Sequence, residues 1–196
     1  MRLIRLLALL LCLAAPAAAL AADGPAPVVV FETSKGLIFI QLDNQKAPVT
    51  TANFLKYVNS GFYDGTIFHR VVNNKGMGIV QGGGYDAAFH QKPTMPAIAC
   101  ESRNGLENKA GSIAMARTAD PDSATSQFFV NVRDNDFLNF RSATPEGMGY
   151  AVFGRIIRGM NVIQDIANLR TTPRGMMDDV PVEQVVVRKA YLYKEP

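Results

Sequence analysis

Two polar side chains on neighbouring apolar segments are of types that can act together on one atom of a substrate. Arg70 lies in the apolar segment 68–72, and Gln81 follows an apolar pair and precedes three glycines. An arginine keeps its charge and presents a rigid fork of donors, and a glutamine amide both donates and accepts. Phe128 and Phe129, farther along the chain, add aromatic surface. These residue types predict a site that holds an apolar group and polarises one of its atoms.

The residues around this pair do not predict a covalent or metal-dependent mechanism. The sequence contains no serine elbow and no cysteine–histidine arrangement. Gln81 occupies the position of the third glycine in a dinucleotide-binding pattern, so that motif is incomplete. His90 has no second ligand at the spacing of a zinc site, and alternation along a strand places His69 on the face opposite Arg70, where we expect a structural role. We therefore expect no metal and no cofactor.

Short strands separated by turn-rich segments must position these residues. Strands at 28–33 and 37–42 are predicted to form a hairpin, and Pro48 is predicted to begin a helix with Thr50 or Thr51 near its cap and Gly61 at its end. A second helix is predicted at 160–169. Further strands are predicted at 66–72, 79–81, 111–116, 128–132, 150–157 and 182–193. About eight strands and two helices favour a closed antiparallel barrel or a sandwich.

The charge of the chain gives no sign of a nucleic-acid partner. The 196 residues carry a formal net charge of +3, and Arg2 and Arg5 lie in the amino-terminal segment, so its removal lowers the net charge from +3 to +1. Lysines and arginines are scattered among acidic residues rather than concentrated in a block. We expect no binding to nucleic acid. A chain of this length is expected to form one domain that needs no disulfides.

Residues 1–22 are predicted to form a cleavable secretory signal peptide. Two arginines precede the short apolar segment 6–15, and Ala19 and Ala21 are small residues of the kind that a signal peptidase requires. We expect cleavage after Ala21 or Ala22. Residues 23–27 then form a short tether and residues 28–196 the folded domain. The mature protein is expected outside the cytoplasm, with no association with a membrane.

Two alternatives for this segment stay open. A membrane anchor needs ~20 apolar residues, and Pro16 interrupts the run. A lipoprotein leader would use Cys12, which lies early in the chain and lacks small residues before it. Cleavage of a signal peptide would leave Cys100 as the single cysteine, which cannot form an internal disulfide.

Six segments match the motifs of one protein family in order and near its spacing. They are NF at 53–54, GFYDGTIFHRV at 61–71, QGG at 81–83, GSIAMA at 111–116, SATSQFF at 123–129 and VFG at 152–154. The chain therefore resembles the cyclophilin peptidyl-prolyl cis–trans isomerases over nearly all of residues 28–193. The leader and Phe137 are similar to the bacterial exported subgroup.

The resemblance implies both a fold and an activity. The fold is mostly β, a closed eight-stranded antiparallel barrel capped by two α-helices, with an interior filled by side chains and the substrate groove on the outside. The activity is the rotation of X–Pro bonds in proline-containing polypeptides of the periplasm, with no covalent step. A monomer is the simplest assembly for a single near-neutral barrel.

The resemblance also implies roles for individual residues. Arg70 is similar to the catalytic arginine of the family, and Gln81 to the glutamine that positions this arginine and the substrate backbone. Six other residues are expected to contact the substrate. They are Phe129 and Leu138 as walls of the proline pocket, Phe137 at a position where many relatives carry tryptophan, Ala116 and Arg117 through the main chain, and Tyr150 at a position often held by histidine.

The segment between Arg70 and Gln81 departs from the family because it is about three residues longer. Gly78 and Ile79 occupy the positions where the family has Phe-Met. We expect Met77 to fold back into the space of the missing aromatic ring, so Met77 and Ile79 are also predicted to contact the substrate. The departure keeps an alternative function open, a binding module or chaperone for proline-containing segments with little turnover.

Overall fold

Alternating apolar residues build the first hairpin of the structure. In this computed structural model, which describes residues 25–194, strand β1 (Val28–Thr33) pairs antiparallel with β2 (Gly36–Leu42). Ile38, Ile40 and Leu42 are buried and the residues between them are not. This is the pattern of a strand with one face on a core and the other toward solvent.

The mostly-β fold with two helices is confirmed. After β2 the chain forms α1 (Pro48–Asn59), β3 (Thr66–Asn73), β4 (Gly78–Asp86), β5 (Ser112–Met115), β6 (Phe128–Asn131), β7 (Val152–Arg158), α2 (Met160–Ala167), β8 (Thr171–Arg174), β9 (Met177–Pro181) and β10 (Val187–Leu192). Eight strands form one antiparallel sheet in the order β10-β1-β2-β7-β5-β6-β4-β3. Helix α1 packs against β10, and α2 packs against β2, β3 and β4.

The two edges of this sheet meet, so the sheet curls into a barrel. Ile67 on β3 forms an isolated antiparallel bridge with Val186, just before β10. The amides of Phe68 and Gly65 donate to the carbonyls of Val185 and Val187 at 3.0 and 2.8 Å. These bonds satisfy backbone groups that an open edge would expose.

The buried apolar residues form two separate clusters, one inside the barrel and one on its outer face. Phe31, Phe54, Tyr63 and Phe128 are buried together in the interior, with the ring centroids of Phe54 and Phe128 5.7 Å apart. Phe129 belongs to a second, smaller cluster that also contains residues of β3, β4, β5 and β7. Phe128 and Phe129, neighbours on β6, thus lie on opposite faces of the sheet, and the barrel interior is filled by side chains.

The prediction that a threonine caps α1 is wrong. The N-cap residue is Ala47, which offers no side-chain hydrogen bond, and Pro48 occupies the first turn. The carboxylate of Glu101 accepts instead from the amides of Val49 and Thr50, at 3.0 and 2.7 Å, and from the Thr50 hydroxyl at 2.7 Å. A carboxylate at this end of a helix satisfies orphan amides and opposes the positive end of the helix dipole.

The sequence-based strand assignment also needs three corrections. It omits the hairpin β8–β9, in which only Val180 and Pro181 of the strand residues are buried. It makes β4 too short, because the glycine run reads as a turn although the strand continues through it to Asp86. Gly83 has a φ of +82°, and a Cβ there would lie 2.8 Å from the Phe128 ring. The last strand is shorter than predicted and begins at Val187.

The predicted signal peptide and residues 23–24 of the tether lie outside the described residues. Between residues 25 and 194, none of the helices is both long enough and apolar enough to cross a membrane.

We predict that Glu101→Ala destabilises the fold, because α1 loses the acceptor of its first turn. The loss of charge-assisted bonds to helix amides should lower the free energy of unfolding by about 1–3 kcal/mol, measured by chemical denaturation. Glu107→Ala is the matched control, since the exposed Glu107 carboxylate lies 4.0 Å from Lys109 and bonds no helix amide within residues 25–194. Equal stability of the two variants would show that Glu101 does not cap the helix.

Candidate active site

Cross-strand register brings the predicted catalytic residues together. Arg70 on β3 lies opposite Gln81 on β4, Gln81 lies opposite Phe129 on β6, and Phe129 lies opposite Ala114 on β5. Residues directly opposite one another in antiparallel strands project from the same face, with Cβ atoms about 5 Å apart. The four side chains therefore form one row across the outer face of the barrel.

A small cavity lies over this row. Its volume is about 160 Å³. Sites for drug-sized ligands usually measure about 300–1,000 Å³, so this cavity suits a single small ring. The sequence predicts every residue that lines it, and their roles stay predictions: Arg70, Met77, Ile79, Gln81, Ala116, Arg117, Phe129, Leu138 and Tyr150.

Arg70 reaches the cavity from β3 and remains half-exposed, with 41% of its side-chain surface accessible. Its Nε lies 3.7 Å from Oδ2 of Asp179, a residue of β9. Strand β9 packs against β3, so the hairpin absent from the sequence-based assignment supplies the carboxylate nearest to this guanidinium. The site thus places a permanent cation at the rim of an apolar cavity.

Gln81 is held by a second glutamine. Its Nε2 donates to Oε1 of Gln127 at 3.0 Å. The Gln127 side chain packs directly over Gly84, where a Cβ would lie 2.6 Å from it. The glycine run after Gln81 therefore makes room for Gln127, and a donor bond at Nε2 leaves the Gln81 carbonyl oxygen to accept from a substrate amide.

The apolar wall of the cavity is made of packed side chains. Phe129 is 3% exposed, and its ring meets that of Tyr150 edge to face with centroids 5.5 Å apart. Leu138 and Ile79 are buried in the same cluster, and Met77 packs against it. Met77 and Ile79 therefore both line the cavity, and the replacement of an aromatic side chain by Met77 stays a prediction.

A buried asparagine network fixes the segment that carries Leu138. Asn135 Nδ2 donates to the Gly78 carbonyl at 2.9 Å, and Asn135 Oδ1 accepts from the Gly78 amide at 3.1 Å. Asn108 donates to the Leu138 carbonyl at 3.2 Å and accepts from Asn131 at 3.1 Å. Buried amides are costly unless they are bonded, so these partners fix both sides of the cavity in one arrangement.

Ala116 and Arg117, which are expected to pair with substrate through their main chain, already form hydrogen bonds within the protein, Ala116 through its amide and Arg117 through its side chain. The Ala116 amide donates to the Gln127 carbonyl at 2.9 Å, so pairing of this N–H with a substrate would require that bond to break. The Arg117 guanidinium donates to the carbonyls of Gly149 and Pro145 at 2.8 and 3.1 Å and lies over the Tyr150 ring. The Arg117 side chain thus joins two loops beside the cavity.

Phe137 does not line this cavity. It is 48% exposed, whereas the next residue, Leu138, is 7% exposed. Both lie in a single 3₁₀ turn, Asp136–Leu138, which directs Leu138 inward and Phe137 outward. Phe137 lines a neighbouring depression that also contains Arg117 and Tyr150.

A cavity of about 350 Å³ is lined by Arg70, Gln81, Gln127 and His69. His69 therefore does not face away from Arg70, contrary to the prediction, because the register of β3 shifts between Phe68 and Arg70. His69 is 5% exposed, and its Nδ1 has no hydrogen-bond partner in the described part of the chain. Burial lowers the pKa of His69 to about 4, and the charge of Arg70 acts in the same direction, against smaller opposing effects from Ile67 and Gln127. The imidazole is therefore neutral at neutral pH.

A larger cavity lies elsewhere on the barrel and lacks this chemistry. It measures about 550 Å³ and contains none of the predicted site residues. Its cations are engaged, because Lys109 donates to Asp136 at 2.7 Å and Arg155 donates to Gln41 at 3.0 Å. Residues 25–194 place no group of three or more histidine, cysteine or acidic side chains so as to hold a metal ion.

Gln127 and Asp179 are the site residues that sequence reasoning misses. Gln127 lies within the quoted motif 123–129, and its place beside the aromatic pair on β6 is a signal that sequence reasoning could have used. Asp179 carries no such signal, because it contacts Arg70 only through the fold of the β8–β9 hairpin.

The comparison with protein families identifies the family of the chain. The sequence model described as "Cyclophilin type peptidyl-prolyl cis-trans isomerase/CLD" matches residues 28–192. The chain belongs to this family.

Curated relatives agree with the family assignment. The chain is 49% identical over 162 residues to the peptidyl-prolyl cis-trans isomerase cyp18 of Streptomyces antibioticus, a match that covers 83% of this chain and 96% of that protein. It is 48% identical over 160 residues to the peptidyl-prolyl cis-trans isomerase B of Escherichia coli K12, covering 82% of this chain and 96% of that protein. The protein is an enzyme, a peptidyl-prolyl cis–trans isomerase.

Solved structures confirm the fold. A cyclophilin type peptidyl-prolyl cis-trans isomerase of Cryptosporidium parvum matches with a TM-score of 0.66 and 23% identity, over 87% of this chain and 99% of that chain. The cyclophilin AquaCyp293 of Hirschia baltica matches with a TM-score of 0.66 and 24% identity, over 86% of this chain and 74% of that chain. At this level of identity the likeness concerns the fold alone.

We predict that His69 makes the protein less stable in acid. Its folded-state pKa of about 4 lies below the usual value of 6.5, so the unfolded state binds more protons between these pH values and stability falls as the pH drops. The decrease attributable to His69 should be about 3 kcal/mol. Denaturation curves from pH 7 to 4 should show a weaker pH dependence in His69→Asn than in the wild type.

His90→Asn is the matched control for this measurement, because the side chain of the other histidine of the chain is 81% exposed and lies 3.3 Å from the Asp86 carboxylate. The same pH dependence in His69→Asn and the wild type would show that His69 is not held neutral by burial.

Proposed function

We propose that Arg70 and the cavity beside it catalyse rotation about X–Pro bonds without forming a covalent intermediate. The supporting observation is the position of Arg70 in the same cavity as Phe129 and opposite Gln81 in the sheet. The apolar wall holds the pyrrolidine ring of the substrate, and the guanidinium lies next to the prolyl nitrogen. Among residues 25–194, no serine, threonine or cysteine lines this cavity, so these residues offer it no usual acyl-transfer nucleophile.

The chemistry follows from the electronic structure of the amide. Rotation about a peptide bond has a barrier of ~18–20 kcal/mol because the nitrogen lone pair is shared with the carbonyl. In the twisted state the lone pair is localised on a pyramidal nitrogen, which a nearby cation stabilises. Arg70 then interacts more strongly with the transition state than with the planar ground state, and this difference accelerates the reaction.

Gln81 and the surrounding main chain hold one side of the bond while the other turns. The Gln81 carbonyl oxygen is available to accept from the substrate backbone, because Nε2 is the atom bound to Gln127. Tyr150 and Leu138 restrict the proline ring from the sides. A site fixed in advance by packing and by the asparagine network reduces the entropy that binding must remove.

We further propose that the substrates are exported polypeptides and that the enzyme acts as a monomer in the periplasm. The support is the composition of residues 1–22, with Arg2 and Arg5 before a short apolar segment and small residues at the cleavage site. After cleavage the enzyme meets chains that fold outside the cytoplasm. Uncatalysed X–Pro isomerisation takes tens to hundreds of seconds, so such chains benefit from acceleration.

A second function, binding of proline-containing segments with little turnover, is favoured by one observation. Met77 and Ile79 form the part of the cavity where an aromatic ring is expected. Flexible methionine adapts to many ligands but holds a ring less rigidly than an aromatic side chain does.

We predict that Arg70→Ala lowers kcat/KM by about 10²–10³-fold, the usual effect of removing one preorganised electrostatic group. Exchange NMR on a proline-containing peptide measures both binding and cis–trans exchange. Peptide binding should persist in the variant, since the apolar wall is intact. Arg188→Ala, at an exposed position of β10, is the control.

Three outcomes separate the functions. Loss of exchange in Arg70→Ala alone supports the proposed mechanism. Binding without accelerated exchange in the wild type supports the binding module. Full exchange in a folded Arg70→Ala protein removes Arg70 from the mechanism.

We predict that the mature protein begins at Ala22 or Asp23 when the full sequence is expressed in a bacterium with two membranes. Intact mass and amino-terminal sequencing of the periplasmic fraction test this. Replacing Leu6 to Leu11 with polar residues should retain the uncleaved chain in the cytoplasm. An uncleaved chain in the membrane fraction would support the anchor, and a lipid-modified Cys12 would support the lipoprotein leader.

A further inference from the structure

We propose that Asp179 is a positioning residue that orients Arg70 for the reaction. This inference rests on the proposed role of Arg70 and adds a residue from the β8–β9 hairpin to the site. The carboxylate approaches Nε of the guanidinium, with Nε and Oδ2 3.7 Å apart. Contact at Nε leaves the two terminal nitrogens of Arg70 to face the substrate.

The backbone of the hairpin directs Asp179 toward β3. Asp179 has a φ of +60°, a left-handed conformation that aspartate and asparagine adopt more readily than other non-glycine residues. The next residue, Val180, is 2% exposed and anchors the strand in the protein. A non-glycine residue held in this conformation by a buried neighbour is a common feature of functional sites.

The hairpin is fastened to the rest of the protein on several sides. Val182 donates its amide to the Arg170 carbonyl at 2.9 Å, which closes the base of the hairpin. The Arg174 guanidinium lies 3.8 Å from the centroid of the Phe89 ring. Just beyond the hairpin, Gln184 donates to the Ala87 carbonyl at 2.9 Å. These contacts make the hairpin a fixed support rather than a free loop.

The ion pair between Arg70 and Asp179 contributes little energy, but it restricts the orientation of the guanidinium. Both side chains are about 40% exposed, at 41% for Arg70 and 39% for Asp179, so salt screens the attraction between them. An arginine side chain has several rotatable bonds, and an unrestrained guanidinium spends part of its time away from the cavity. Asp179 raises the fraction of time that Arg70 spends in the reactive position.

Substitutions of Asp179 and of its neighbour Asp178 separate the effect of the Asp179 charge from that of its backbone conformation. Asp179→Gly keeps the left-handed backbone and removes the carboxylate, and Asp179→Asn keeps the backbone and the shape and removes the charge. Asp178→Asn is the matched control, because this exposed neighbour makes no ion pair with Arg70 in residues 25–194. Arg70→Lys assigns the NMR signal of the Arg70 side chain.

Kinetics should show an effect on turnover rather than on binding. We expect Asp179→Gly to lower kcat by about three- to fivefold, the range set by the energies of exposed ion pairs. KM should stay within about twofold of the wild-type value. The kcat of Asp179→Asn should lie between those of Asp179→Gly and the wild type. At about 1 M salt the wild type should approach Asp179→Gly, because the Debye length is then only about 3 Å.

The mobility of the Arg70 side chain can be measured directly by NMR. ¹⁵N relaxation of the Arg70 Nε–H group should give a lower order parameter in Asp179→Gly and Asp179→Asn than in the wild type and Asp178→Asn. A structural role of the hairpin alone would lower thermal stability without this selective change.

The results distinguish the inference from the proposed function. An unchanged order parameter and unchanged kcat in Asp179→Gly overturn the role of Asp179, whatever Arg70→Ala does. A change confined to KM also overturns it, because it would mean direct contact of Asp179 with substrate. Full activity in Arg70→Ala overturns the proposed role of Arg70, and with it the role of Asp179 in catalysis.

Discussion

The register of four antiparallel strands is the constraint on which the site depends. Arg70, Gln81 and Phe129 share a face only because β3, β4 and β6 pair as they do. A slip of one residue would turn a strand's whole set of side chains to the other face. The register is held by what lies on the inner face, where Phe68, Val80 and Phe128 are buried in the interior. The core of the barrel thus specifies the geometry of a cavity outside it.

Around this row, a second layer of residues holds the predicted site residues and leaves free the atoms that are proposed to contact the substrate. Gln127 binds the Nε2 end of Gln81 and leaves its carbonyl oxygen unused. Asn135 bonds both the amide and the carbonyl of Gly78, beside Met77 and Ile79. Arg117 joins the loop after β5 to the loop that precedes Tyr150. Preorganisation by such contacts is what allows a small cavity to act on a bond without chemical attack.

The sequence predicts the site better than it predicts the supports of the site. Strand alternation separates Phe128 from Phe129, and the matching segments place Arg70 and Gln81 on paired strands. The contacts of Glu101 and Asp179 are with residues distant in the chain, and no local pattern reports them. The β8–β9 hairpin is missed for a related reason. Few of its strand residues are buried, so it lacks the apolar periodicity by which strands are recognised. For Phe137 the sequence does not predict the direction of the side chain, because that direction depends on the local bend of a short 3₁₀ turn.

The capping of α1 by Glu101 has a consequence for the order in which the protein assembles. Thr50 and its acceptor are separated by 51 positions along the chain. During synthesis the amino-terminal turn of α1 emerges on the order of 3–10 seconds before Glu101, at usual rates of elongation. Until then Ala47 provides no acceptor, and the turn depends on water. The carboxylate of Glu101 can bond the first turn only when the long loop after β4 has closed over the helix, so this cap depends on a contact between distant parts of the chain.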